Sequence, residues 1–205
     1  MANTYTERDM LDLLLARYTA IRRGTVADRW VRAEHVASDL GHRRTGVSKV
    51  ADFVAADKYP GMPYGTALAL HGHEVKVSRS DWLTELRDPT KAEAVKRYMH
   101  HWWLVVPDAD IVKPGELPDD WGLLVKSGNK LRAKVAAPRL APGPVPLDFT
   151  IALMAAATRT AYRDPSRRDA PVAYFDDRPP RCGFCGEPWP CSIHQPRKFT
   201  QAATA

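Results

Sequence analysis

The chain has 205 residues, 44% apolar and 26% charged, enough for one good-sized domain with its own core plus an appendage. No apolar run reaches the length of a membrane span, and no basic region leads into an apolar stretch at the start. An integral membrane protein is therefore disfavoured and a cytosolic location is the expectation. A net charge of +6 suits a polyanionic partner without naming one, and residues 159–205 hold eight Lys/Arg against five Asp/Glu.

Residues 6–23 read as an amphipathic helix: Thr6 and Asp9 form a loose capping box, and Met10, Leu13, Leu14, Tyr18 and Ile21 recur at helical spacing before Gly24. A second helix is expected from about Ala27 to Leu40, with Trp30, Val31, Val36 and Leu40 as its apolar residues. Residues 46–56 read as a short extended segment carrying Asp52, and the Pro- and Gly-rich stretch 59–65 as a loop. A strand around Glu74 to Val77 follows. Leu68 and Leu70 share the parity of Glu74, so a break or bulge at Gly72 is expected to reset the alternation. Ser80 is expected to cap a helix ending at Arg87, and Asp88-Pro89 to start another. Trp102 to Val106 is a continuous apolar run, as in a strand covered on both faces. Trp121–Lys126 and Leu131–Ala137 flank Ser-Gly-Asn-Lys and read as a hairpin. Residues 138–146 read as a proline-rich linker or edge connection, and Asp148–Tyr162 as a last helix. The fold class implied is α/β, a mixed sheet with helices packed on it.

The segment Glu74-Val75-Lys76-Val77 carries the chemistry. In a strand, Glu74 and Lys76 project from one face, expected to be exposed, while Val75 and Val77 anchor the other in a core. A carboxylate can hold a divalent cation while an adjacent lysine positions water or steadies developing charge, as metal-assisted phosphodiester hydrolysis requires. Asp52 supplies a second carboxylate if the two strands are neighbours, and the carbonyl of Val75 a third oxygen for Mg²⁺ or Mn²⁺. The same pair also suits an ordinary surface ion pair.

Asp52 followed by Glu74-Val75-Lys76-Val77-Ser78-Arg79-Ser80-Asp81-Trp82 resembles the PD-(D/E)XK nuclease superfamily, the restriction-endonuclease-like fold. With Asp88, Lys91, Tyr98 and Trp102-Trp103-Leu104-Val105-Val106-Pro107, it is similar to the MmcB-like DNA-repair group and related small proteins of actinobacteria and their phages. The resemblance spans about residues 30–125 and is strongest over 72–107. It implies a restriction-endonuclease-like core, with Asp52 and Glu74 as metal ligands and Lys76 as the catalytic lysine. Glu34 matches a helical acid that some members add to the metal site; Ala51 stands where the superfamily's proline is expected. Ser78 and Arg79, with Ser80, are candidate phosphate contacts at a helix start, as are Arg43 and Arg44 in the loop before Asp52. Asp81, Lys91 and Tyr98 match the group's pattern and are read as structural or orienting. His71, His73, His100 and His101 show no pairing that suggests a metal site.

Cys182, Cys185, Cys191 and His194 have the form C-x₂-C-x₅-C-x₂-H, two ligand pairs that can close a tetrahedron around a structural Zn²⁺. Phe184 and Trp189 would cover the site, and Arg178, Arg181, Arg197 and Lys198 flank it. The expected organisation is a nuclease-like domain over 1–162, a linker over 163–181, a zinc knuckle over 182–194 and a flexible tail over 195–205. Three functional classes stand: a Mg²⁺- or Mn²⁺-dependent nuclease acting on DNA in repair, recombination or phage DNA metabolism; a nucleic-acid-binding protein on the same fold; and a zinc-stabilised interaction protein. DNA is the expected partner, a homodimer an allowed assembly, and bacterial cytoplasm or a phage-infected host the expected setting. No P-loop or dinucleotide fingerprint is present, which disfavours ATP-driven and redox chemistry.

Overall fold

The computed structural model describes residues 5–20, 28–40, 48–58, 68–88 and 90–163. Among them the elements run α1 (Glu7–Arg17), β1 (Trp30–Ala37), β2 (Val50–Asp57), β3 (Ala69–Val75), α2 (Arg79–Arg87), α3 (Thr90–Lys96), β4 (His101–Val106), β5 (Gly122–Ser127), β6 (Lys130–Val135) and α4 (Leu147–Arg163). The six strands lie in one sheet in chain order. β1 to β3 form an antiparallel meander, β3, β4 and β5 are parallel, and β6 returns antiparallel to β5. This is the mixed α/β architecture expected from the sequence. No helix among the described residues is long and apolar enough to cross a membrane.

Both faces of the sheet are covered. On one, Met10, Leu11, Leu14 and Leu15 of α1 pack on Phe53, Ala55, Val75, Trp103, Val105 and Leu124. On the other, Trp82 of α2, Ala92 and Val95 of α3, and Phe149 and Ala156 of α4 pack on Val54, Trp102, Leu104 and Leu123. β4 thus serves two cores through alternate residues, which accounts for its unbroken apolar run. The crossover from β3 to the parallel β4 is made by α2 and α3. In the hairpin, Gly128 has φ 59° at the first central position, as a type II′ turn requires.

Four expectations need correction. Residues 30–37 are a strand, not a helix: Trp30, Val31 and Val36 suit a pleated surface, and pairing with β2 outweighs a weak helical preference. Glu34 therefore sits on a strand. α1 stops at Arg17 because Tyr18, at φ −98° and ψ 29°, leaves the helix to bury its ring against Trp30 and Phe53. β3 runs unbroken through Gly72, whose lack of a side chain makes room for the Trp102 indole rather than marking a bulge. Leu70 and Glu74 share a face because that face is a core for most of its length and becomes a polar cleft at its end. The cap of α2 is Ser78, not Ser80: its side chain accepts from the Asp81 N–H. Residues 138–146, expected as a linker or edge connection, are tied to the segment before β4, with Leu140 N–H donating to His100 O and Gly143 N–H to Arg97 O.

Candidate active site

The meander opens at one end, and the site lies where it opens. The β2–β3 ladder ends at Phe53↔His73; one further step in that register would set Asp52 opposite Glu74. Instead of a ladder bond, the Asp52 carboxylate accepts the Val75 N–H, with Oδ2 at 2.7 Å. The Val75 carbonyl leaves the strand on the same side as its N–H, toward Asp52. In the β1–β2 ladder the one pair skipped is His35 with Asp52, and His35 adopts φ 51° there. One row across three strands thus carries His35, Asp52 and Glu74.

Asp52 and Glu74 of this row face a cleft of about 610 Å³ lined by Glu7, Lys49, Asp52, Glu74, Val75, Lys76, Asp81, Glu85 and Lys91, among others. Asp52, Glu74, Lys76 and Val75, assigned to one centre from the sequence, all line it. Val75 and Val77 face the α1-side core as expected. Glu74 and Lys76 are not on an exposed face, however: their side chains are only 5% and 11% accessible beneath α2, and Lys76 lies just past the end of β3. The Lys76 N–H continues the ladder by donating to Val105 O at 3.0 Å.

The charges are organised as a chain. Lys76 Nζ lies 2.5 Å from Glu74 Oε1 and 3.0 Å from Glu85 Oε2. Lys91 Nζ lies 3.2 Å from the same Glu85 oxygen and 4.0 Å from Glu74 Oε1. Burial and the neighbouring Asp52 push the Glu74 carboxyl up, with Lys76 pulling against them. Burial likewise raises Asp52, partly offset by the Val75 N–H. Burial opposes the charge on Lys76, but Glu74 and Glu85 overcome it and hold the ammonium protonated well above its ordinary range. At Glu85 burial is outweighed by Lys76 and Lys91, which lower its pKa.

Two crowded carboxylates made costly by burial are a setting that a divalent cation relieves, and oxygen donors suit Mg²⁺ or Mn²⁺. Glu7, on the first turn of α1, adds a third carboxylate: ligand atoms of Glu7, His35 and Asp52 lie within 4.8 Å of one another. Glu7, His35 and Glu85 were not singled out from the sequence. Glu85 had left a signal, since it lies three residues after Trp82 on the buried side of α2.

Other expected site residues fall elsewhere. Glu34 is 3% exposed and bound through both oxygens by Arg8, at 2.8 and 2.5 Å, and it does not line the cleft. Arg79 is engaged by Glu116 and the Ile111 carbonyl, and Ser78 is occupied as the helix cap. Arg43, Arg44, Cys182, Cys185, Cys191 and His194 lie outside the described residues, as do the linker and tail.

No family model and no curated protein matches the chain. Among solved structures, a protein of unknown function from Silicibacter pomeroyi is similar, at 19% identity over 82% of this chain and 94% of that one, with a TM-score of 0.49.

Proposed function

We propose that this protein is a Mg²⁺- or Mn²⁺-dependent nuclease of the restriction-endonuclease-like type, hydrolysing DNA phosphodiester bonds. The observation that carries the proposal is the meeting of Asp52, Glu74 and Lys76 in one cleft from two neighbouring strands. That is the juxtaposition the chemistry needs, and the resemblance to PD-(D/E)XK nucleases names the same three residues.

Asp52, Glu74 and the Val75 carbonyl would hold the cation, with Glu7 and His35 at its open side. Bound there, it would supply Lewis-acid polarisation of the phosphodiester and acidify the attacking water. Lys76, kept protonated by two carboxylates, acts as a fixed positive charge rather than as a base. Its ammonium stabilises the negative charge that builds on the phosphate oxygens. The partly buried walls strengthen that interaction. The cysteine and histidine knuckle at 182–194 joins the proposal as a structural zinc module on the strength of its ligand spacing alone.

Purified protein incubated with single-stranded, duplex and branched DNA is expected to cleave with Mg²⁺ or Mn²⁺ and not with EDTA. Lys76→Ala and Glu74→Ala should each lower the rate by about a hundredfold or more. Cleavage that survives both substitutions would overturn the site. Binding without cleavage under every condition would make the protein a DNA-binding member of the same fold.

A further inference from the structure

We infer that Glu85 is a positioning residue that receives Lys76 when a cation takes the Glu74 carboxylate, and that Glu85 and Lys91 together set the affinity of the cleft for divalent cations. The inference rests on the nuclease reading for the purpose of the cation, but it concerns cation binding itself.

The problem it addresses is a conflict in the site. Glu74 cannot serve a cation fully while Lys76 holds its Oε1 at 2.5 Å. Pulling a buried ammonium off its only carboxylate would leave an unpaired charge in a poorly solvated place, which is costly. Here the ammonium has a second carboxylate already in contact, Glu85 Oε2 at 3.0 Å. The other oxygen of Glu85, Oε1, is buried and has no hydrogen-bond partner among the described residues. Lys76 can therefore move wholly onto Glu85, gaining that vacant acceptor as it gives up Glu74. Such an unmatched buried acceptor is uncommon in a folded protein and calls for an explanation.

Charge balance points the same way. Glu74, Lys76, Glu85 and Lys91 form an alternating and neutral set; the other charged residues lining the cleft are Glu7, Asp52 and Asp81 against Lys49, so the lining carries two uncompensated negative charges. Neutralising Glu85 would halve that excess. Neutralising Lys91, whose side chain is 43% accessible, would raise it by half. The two changes act on cation affinity in opposite directions. A merely structural role predicts no such opposition.

The test is a titration of the full-length protein with Mn²⁺ alone, followed by electron paramagnetic resonance of free Mn²⁺, with Glu74→Ala defining the binding that belongs to this cleft. Glu85→Gln is expected to weaken that binding about tenfold or more, and Lys91→Met to tighten it several-fold. The double variant Glu85→Gln/Lys91→Met should recover most of what Glu85→Gln loses. Glu74-dependent binding that is unchanged in Glu85→Gln and Lys91→Met overturns this inference and leaves the site standing. So does a shift of both variants in the same direction. Wild-type protein that binds no Mn²⁺ through Glu74 overturns the inference and the metal site together.

Discussion

A methyl group on Gly72 would lie 2.3 Å from Cζ3 and 2.4 Å from Cε3 of Trp102, and 2.9 Å from Cγ of Met99. These are interior groups with no room to retreat, since Trp102 and Met99 are both fully buried. Gly72→Ala is therefore expected to cost about 1–3 kcal/mol, read as a lower urea midpoint with an unchanged m value. An unchanged midpoint would mean that Trp102 is not packed over Gly72. At this scale the sequence was partly legible. Asp52, Glu74 and Lys76 stand out by type and spacing, whereas the reason for Gly72 is a side chain thirty residues away. The same holds for Glu34, whose guanidinium partner Arg8 comes from α1 and cannot be paired with it by inspection of the chain.

Elements with strong local signals form where the pattern puts them. Thr6 caps α1 with a reciprocal box, its hydroxyl accepting the Asp9 N–H at 3.2 Å and its own N–H donating to Asp9 Oδ2 at 2.8 Å. Thr6→Ala should cost about 1 kcal/mol and lower the melting temperature by about 2–4 °C. A melt indistinguishable from wild type would show that the docked leucines alone hold the first turn. The hairpin and α4 were equally clear, because turn chemistry and a long apolar stripe are local properties. β1 was not. Trp30, Val31, Val36 and Leu40 fit a helical stripe as well as a strand, and only the availability of β2 as a partner decides between them. α1 likewise ends early because Tyr18 is needed in the interior, where its hydroxyl donates to His73 Nε2 at 2.9 Å.

At the scale of the whole molecule, β3 holds two neutral histidines, one fully buried and the other half-buried. His73 is fully buried, its Nδ1–H directed at the Phe53 carbonyl 3.2 Å away and its Nε2 accepting from Tyr18. His71 accepts the Trp103 indole N–H, stacks on His101 and lies near Trp30 and Tyr18. Burial, reinforced by His101, lowers the pKa of His71 to about 4, and burial holds that of His73 well below its ordinary value. The unfolded chain binds protons at these positions near pH 6.5, while the folded one resists them until the pH is far lower. Their stabilising effect is therefore complete above about pH 6.5 and is lost as the pH falls toward 4. His71 alone accounts for about 3 kcal/mol of that loss. His71→Asn keeps an acceptor for Trp103 and removes the titration. The stability advantage of wild type over this variant, measured by urea unfolding, should shrink by about that amount between pH 7 and pH 4. A constant difference would show that His71 titrates normally in the fold.

From the sequence alone came the mixed α/β class of the core, most element positions and the three residues on which the proposed chemistry rests. Those depend on local periodicity, capping, turn residues and side-chain type. Only the tertiary structure decided that Asp52 and Glu74 stand on neighbouring strands, that Glu74 and Lys76 are buried rather than exposed, and that Glu7, His35, Glu85 and Lys91 join them. The physical reason is that the cleft forms where β2 and β3 part, and residues of α1, α2 and α3 wall it. Strand pairing and the meeting of buried charges are long-range events, and no spacing along the chain records them.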